Sequence, residues 1–423
     1  MNHFPSTPAL RRTASRGFSL IELMVAAAIG MVVALALTGA VVATSRQYSM
    51  ISATVSAQNS AQVALTLIDQ AGRGAGAGFF SAGLPICPTW NAYNGTAVVA
   101  ANAVYMPVKI TNGADATVSD SIVFTGGNGS VSFAAAPLLT TFGGGKVEVS
   151  NAWPALPPPP ASGPQINDIA VVGAPGSGQP CRLVQVTDAD LYSTLAACEY
   201  GLECRRLRWA AASGNLNNVA PASNPVFGYA AVAGAVYGPA VISRVGTTVA
   251  GFRQDAFRVE CNSLVRYNAF TGTPGACTPN PLSFVAGADA IANDIVLMHA
   301  QYGISANVAS DIVTSWVEPG AGATPSGATW AAPAAADVRL IKAIRVVMVA
   351  RSKEPDGGVV TPATCVNGAA TPVTNYGPCS FQDASAPVID LRSTLVPGGR
   401  TWQNYRYRVH MAIIPLRSVL WSD

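Results

Sequence analysis

The sequence predicts an α+β protein, with one long N-terminal helix followed by a large, mainly antiparallel β head with long loops. Three observations predict it. Phe18 to Ala43 is apolar apart from Glu22 and small hydroxyl residues. No proline occurs between Pro8 and Pro85, so nothing interrupts a helix there. Beyond the glycine-rich run Gly72–Gly78, short β-branched runs alternate with Gly, Pro and Asn clusters.

The apolar run exceeds the ~20 residues a helix needs to cross a hydrocarbon core. Arg11, Arg12 and Arg16 precede it, and residues 1–17 hold no acid. That asymmetry predicts a cytoplasmic N-terminus and an exported body. A secretory signal would have a shorter apolar core ending at a small-x-small site. A plain membrane anchor accounts for the arginines but not for Glu22. A carboxylate inside a membrane segment costs about 2.5–3.5 kcal/mol, so Glu22 is a functional candidate.

Past the membrane the helix is expected to continue to about Gln70, spanning ~80 Å at ~1.5 Å per residue. Tyr48, Ile51, Val55, Ala61, Leu65 and Ile68 form an apolar stripe for packing on the head. Gly30 and Gly39 weaken the membrane half. Ala71 to Gly78 reads as a helix terminator plus linker. It follows a helix rather than a strand, which argues against a dinucleotide-binding loop.

The chain has 423 residues, of which 50% are hydrophobic and 11% charged. Soluble domains carry about 25% charged residues, so the body is polar but weakly charged. A net charge of +3 is too small to argue for nucleic acid or an acidic partner. Expected strands are Ser121–Thr125, Lys146–Ser150, Asp168–Val172, Arg182–Thr187, Ser263–Asn268, Asp294–Tyr302, Ala343–Arg351 and Tyr405–Ile414. In the last, Tyr405, Tyr407, Val409, Met411 and Ile413 are expected to face a core, with Arg406, Arg408, His410 and Ala412 outward. Ile344, Val346, Met348 and Ala350 are expected inward, opposite Arg345 and Arg351. Pro154–Pro160 reads as a stiff loop, with a lobe break near 154–163 as the alternative. Pro319–Ala336 reads as exposed loop, and Lys353–Ser380 as a loop carrying two cysteines.

Eight cysteines, scattered along an exported body, read as disulfides. Pairing neighbours along the chain gives Cys87–Cys181, Cys198–Cys204, Cys261–Cys277 and Cys365–Cys379. The short pairings are favoured, each worth roughly 3 kcal/mol. The rival, a zinc site, lacks any Cys-x-x-Cys, and the three histidines lie far from the cysteines. No metal or other cofactor is expected. The sequence has no Gly-x-Ser-x-Gly elbow and no P-loop, so no catalytic residue is assigned. His299 and His410 read as sheet residues, Asp188-Ala189-Asp190 as a solvated turn rather than a calcium loop, and Arg205, Arg206 and Arg208 as a solvated face rather than a DNA contact.

Arg16-Gly17-Phe18-Ser19-Leu20-Ile21-Glu22-Leu23-Met24-Val25-Ala26 resembles the type IV prepilin processing motif. The resemblance implies cleavage by a prepilin peptidase between Gly17 and Phe18, methylation of the Phe18 amine, and pairing of Glu22 with the N-terminal amine of a neighbouring subunit. Ile295–Gly303, Ile344–Ser352 and Tyr407–Arg417 are similar, more loosely, to segments of large minor pilins of the PilW type. The implied organisation is a leader over 1–17, a pilin helix over 18–72 with its membrane part about 18–43, and an exported head over 73–423. The implied partners are the prepilin peptidase, other minor pilins, the major pilin, the inner-membrane assembly platform and a large tip adhesin. The implied location is the inner membrane, then the pilus. A type II secretion pseudopilin shares the N-terminal features, and a tip adhesin or DNA-binding head is a further alternative.

Overall fold

The computed structural model describes residues 19–81, 84–93, 98–127, 135–139, 146–150, 167–192, 204–208, 216, 226–228, 236–246, 252–279, 282–320, 322–394, 396 and 399–420. The chain divides into two units, Met1–Ala53 and Thr54–Asp423. Helix α1, Leu20–Gly74, has residues in both. The architecture is α+β, an apolar N-terminal helix and a large, mainly antiparallel β region.

In the first unit, Leu20–Ser45 has a mean hydropathy of 2.5 and none of its residues is buried. Leu20 is 80% exposed and Leu35 68%. A helix that is apolar all round finds its solvent outside its own fold.

In the second unit, two antiparallel sheets share a core with one face of the rest of α1. One contains β1 (Val108–Thr111), β2 (Ser121–Gly126), β3 (Arg253–Glu260), β4 (Ser263–Asn268) and β5 (Asp289–Asn293), in the order β5-β4-β3-β2-β1. The other contains β6 (Ile295–Ser305), β7 (Val313–Val317), β8 (Ile341–Arg351) and β9 (Tyr407–Pro415), in the order β7-β6-β8-β9. Ala57, Ala61, Ala64 and Ile68 of α1 share a core with Ile122, Phe124 and Phe257 of the first sheet and Met298, Ile344, Val346 and Ile414 of the second. The expected stripe holds in its second half, where Ala61 and Ile68 are buried and Leu65 packs against the core. Tyr48, Ile51 and Val55 are exposed, and alanines carry the contact because small side chains let the helix axis approach the sheets.

The glycine run is docked rather than a linker. The Gly76 N–H donates to the Thr125 carbonyl at 2.9 Å, and the Gly127 N–H donates to the Ala77 carbonyl at 2.7 Å. A Cβ on Gly72 would lie 2.6 Å from Ile414 Cγ2, and one on Gly126 2.6 Å from the Gly74 carbonyl oxygen. Glycine at both positions is what allows the helix end to seat on the head.

A six-stranded mixed sheet forms the rest of the main core. Its strands run in the order Val98–Val104, Thr89–Tyr93, Cys181–Gln185, Ile169–Gly173, Val241–Gly246, Ala136–Pro137. Its Trp90, Val171 and Leu183 share one core with Phe79 and Phe252, and its Val172, Val184 and Ile242 share another with Val147, Val149 and Leu207.

Four further expectations change. Asp188-Ala189-Asp190 lies in a strand, Asp188–Tyr192, paired with Cys204–Arg208, instead of a turn. Every residue of β8 is buried, so both of its faces are interior and Arg345 does not point to solvent. Of the face expected on Tyr405–Ile414, Tyr405, Tyr407 and, in part, Val409 join a core, while Met411 and Ile413 are 48% and 57% exposed and Ile414 is buried on the opposite face. The segment 319–336 buries Thr324 and Trp330, the latter beside Tyr302, so it is not simply an exposed loop. Residues 154–163, the site of the alternative lobe break, lie outside the described residues.

Candidate assembly segment and the head's polar sites

Gly17 and Phe18 lie outside the described residues, and the described chain opens at Ser19. The Ser19 N–H donates to Glu22 Oε2 at 3.2 Å, and the Glu22 N–H donates to Ser19 Oγ at 3.2 Å. This reciprocal pair is a capping box, which satisfies backbone donors that the first turn of a helix otherwise leaves open. Glu22 also places its negative charge at the positive end of the helix dipole. Glu22 therefore has a role within its own chain. The signal was readable as Ser-x-x-Glu before an apolar run, but reading Glu22 only as an acid inside a membrane span missed it. Further along, the Thr38 and Thr44 hydroxyls donate to the Ala34 and Ala40 carbonyls at 2.7 and 2.8 Å. Each hydroxyl is thus satisfied inside the helix, which lowers its cost in an apolar medium.

In the head, polar groups pair over long sequence distances. His299 on β6 is buried, its Nε2 lies 3.2 Å from the Ala116 carbonyl oxygen, and its Nδ1 lies 3.4 Å from Asp120 Oδ2. Asp120 also accepts the Ala300 and Gly113 N–H groups at 2.8 and 2.9 Å. Burial pulls the His299 pKa down, but the hydrogen bond and charge of Asp120 and the Ala116 carbonyl outweigh it, and the net shift is upward. The imidazole latches the turn before β2 onto β6. His410 on β9 is shifted downward, by burial and by the charge of Arg408.

Arg345, expected outward, is 1% exposed. Its Nη1 and Nη2 donate to Asp383 at 2.6 and 3.1 Å, its Nε donates to Gln301 Oε1 at 2.6 Å, and its Nη2 also donates to the Ser385 carbonyl at 2.7 Å. The guanidinium lies 4.9 Å from the Trp316 ring centroid and 4.7 Å from that of Phe381. Hydrogen bonding from Arg345 holds the Asp383 carboxyl below the usual range. This arrangement pins the loop after β8 to the sheet. The available signal was a charged residue in the middle of the apolar run Ala343–Ala350. Arg244 and Asp168 form a second buried pair, with Nη2–Oδ1 and Nε–Oδ2 distances of 2.8 Å.

Cys87–Cys181, Cys261–Cys277 and Cys365–Cys379 are disulfides. Cys87 and Cys181 are both buried in the core of the six-stranded sheet. Their link spans 94 residues, against 16 and 14 for the others. Cys198 and the Cys204 side chain lie outside the description. The strand register places Asp190 and Glu148 opposite Arg206, and Asp188 opposite Arg208. Among the described residues, no group of three or more His, Cys, Asp or Glu side chains is placed to hold a metal ion.

No curated protein and no solved structure matches the chain. Residues 12–38 match the model of the prokaryotic N-terminal methylation motif. The match spans Gly17, Phe18, the capping box and most of the apolar span. It supports a type IV pilin-like or pseudopilin substrate of prepilin peptidase, a structural subunit rather than an enzyme, anchored through its N-terminal helix.

Proposed function

We propose that the chain is a minor pilin of the PilW type. It sits in the inner membrane with a cytoplasmic N-terminus and then joins the initiating or tip complex of a type IV pilus. The observation that carries this reading is the methylation motif over 12–38, set at the start of an unburied apolar helix. Prepilin peptidase cuts after Gly17 and methylates Phe18. The helix then packs against the helices of other minor pilins and the major pilin. Glu22 leaves its capping box or shares it, since a carboxylate and an ammonium that are each costly to bury become tolerable as a pair. The large β head supports a place at the tip, because repeated shaft packing leaves little room for bulk.

The test follows the N-terminus in the producing cells. Gly17→Trp is expected to leave a longer, membrane-bound precursor, read by intact mass. Glu22→Ala is expected to be cleaved normally but to be depleted from sheared surface pili. A wild-type protein that retains Met1–Gly17 at maturity would sink the proposal, and so would its recovery solely with secretion components.

A further inference from the structure

Strand β9 is an edge of its sheet, next to β8 only. Its free backbone groups can be assigned. The Ser352 N–H donates to the Arg406 carbonyl and the Leu416 N–H to the Lys342 carbonyl, at 2.8 and 2.9 Å. In an antiparallel ladder with this register, even-numbered residues of β9 exchange hydrogen bonds with β8. Tyr407, Val409, Met411 and Ile413 therefore direct N–H and C=O groups away from it. Among the described residues no other backbone segment pairs with them.

Other edges of the labelled sheets and the six-stranded sheet are guarded. Strand β7 has five residues, follows a register shift and folds Trp316 over Gly303. Strand β5 carries a register shift, and β1 has four residues. Val98–Val104 is broken by register shifts and a left-handed Asn102. By contrast, β9 pairs with β8 without a shift over nine residues. It contains no lysine, and its proline, Pro415, closes it. Met411 and Ile413 are exposed. Sheet proteins ordinarily blunt an edge of this kind, because it is a template for another strand.

We propose that β9 is a strand-addition site for an extended segment of a different polypeptide. An extended strand can take up the whole row of N–H and C=O groups from Tyr407 to Ile413 as one continuous ladder. Its alternate apolar residues lie beside Met411 and Ile413. A carboxylate on it meets Arg408, which is exposed and has no ion-pair partner among the described residues. A second copy of β9 cannot supply that carboxylate, because Tyr407–Pro415 contains no acid. The inference concerns the head alone and stands whether or not the chain enters a filament.

The test uses the full chain in its producing cells, with the photo-crosslinker p-benzoylphenylalanine at position 411 or 413 and a control at Ile312, which is 73% exposed. Crosslinks from 411 and 413 are expected to fall about two residues apart on one segment of another protein, the period of a paired strand. Met411→Pro removes a free-edge N–H that β8 does not use. Arg408→Glu reverses the exposed charge at a surface position, where the fold is tolerant. Each is expected to reduce crosslinking from 413 by up to about tenfold. Crosslinks to a second copy of this chain, products without the two-residue spacing, a yield no higher than at 312, or no effect of Arg408→Glu would each overturn the proposal.

Discussion

The two halves of α1 share one backbone conformation and follow opposite rules. Before Ala53 the helix displays large apolar side chains, such as Ile21 and Met31 at 71% and 68% exposure. After Thr54 it buries alanines, with Ala61 and Ala64 at 0%. The polar groups divide in the same way. In the first half Ser19 with Glu22, Thr38 and Thr44 are satisfied three or four residues away. In the head some partners are as near, as with Thr66 and Gln62 or Arg392 and Asp390, but its buried arginines reach far along the chain, as with Arg244 and Asp168 across 76 residues or Arg345 and Asp383 across 38. A helix that must be stable in an apolar medium carries its own hydrogen-bond partners. A globular head can take them from any part of its chain, and each such pair then depends on the whole fold.

The largest expected effect comes from breaking a distant pair. Asp168→Ala leaves the buried Arg244 guanidinium without its carboxylate and is expected to destabilise the head by about 3–5 kcal/mol. Urea denaturation of the full chain in detergent checks this. A loss below ~1 kcal/mol would mean that the head does not rely on distant pairs as argued.

Next comes the buried alanine stripe. Ala64→Leu overpacks a closed contact and is expected to cost about 1–3 kcal/mol. Leu35→Ala, in the exposed half, is expected to change head stability by less than ~0.5 kcal/mol. Equal losses from the two substitutions would erase the distinction between the halves.

A smaller effect concerns the His299 latch. Its folded-state pKa is raised above the ordinary 6.5. Its stabilisation is therefore complete below that ordinary value and is lost as pH rises through the folded value. The urea midpoint is expected to fall as pH rises above about 6.5, and His299→Gln should remove that part of the slope. A slope unchanged in the variant would assign the pH dependence to other groups.

The smallest effect is local. Ser19→Ala removes one half of the capping box, worth about 1 kcal/mol at a helix start. Faster hydrogen exchange is expected at the first-turn amides, with no change in the urea midpoint of the head. A shift in that midpoint would contradict the local character of the first half.

The sequence alone determined what depends on near neighbours. The apolar run, the arginines before it and the motif from Gly17 to Glu22 are contiguous, so the membrane segment and its processing class were legible without coordinates. The strong alternation near Ala343–Arg351 and Tyr405–Ile414 likewise located two strands of the main sheet. Tertiary structure decided which faces those strands cover. A period of two says that the faces differ, but not that both faces of β8 are interior, nor that Met411 and Ile413 are left outside. It also decided that Ala57, Ala61 and Ala64 join Ile68 in the contact with the sheets, because close approach rewards small volume, which no hydropathy pattern records. Arg345 makes the same point. Its charge was plain in the sequence, but Asp383, Trp316 and Phe381 meet it only once the chain has folded.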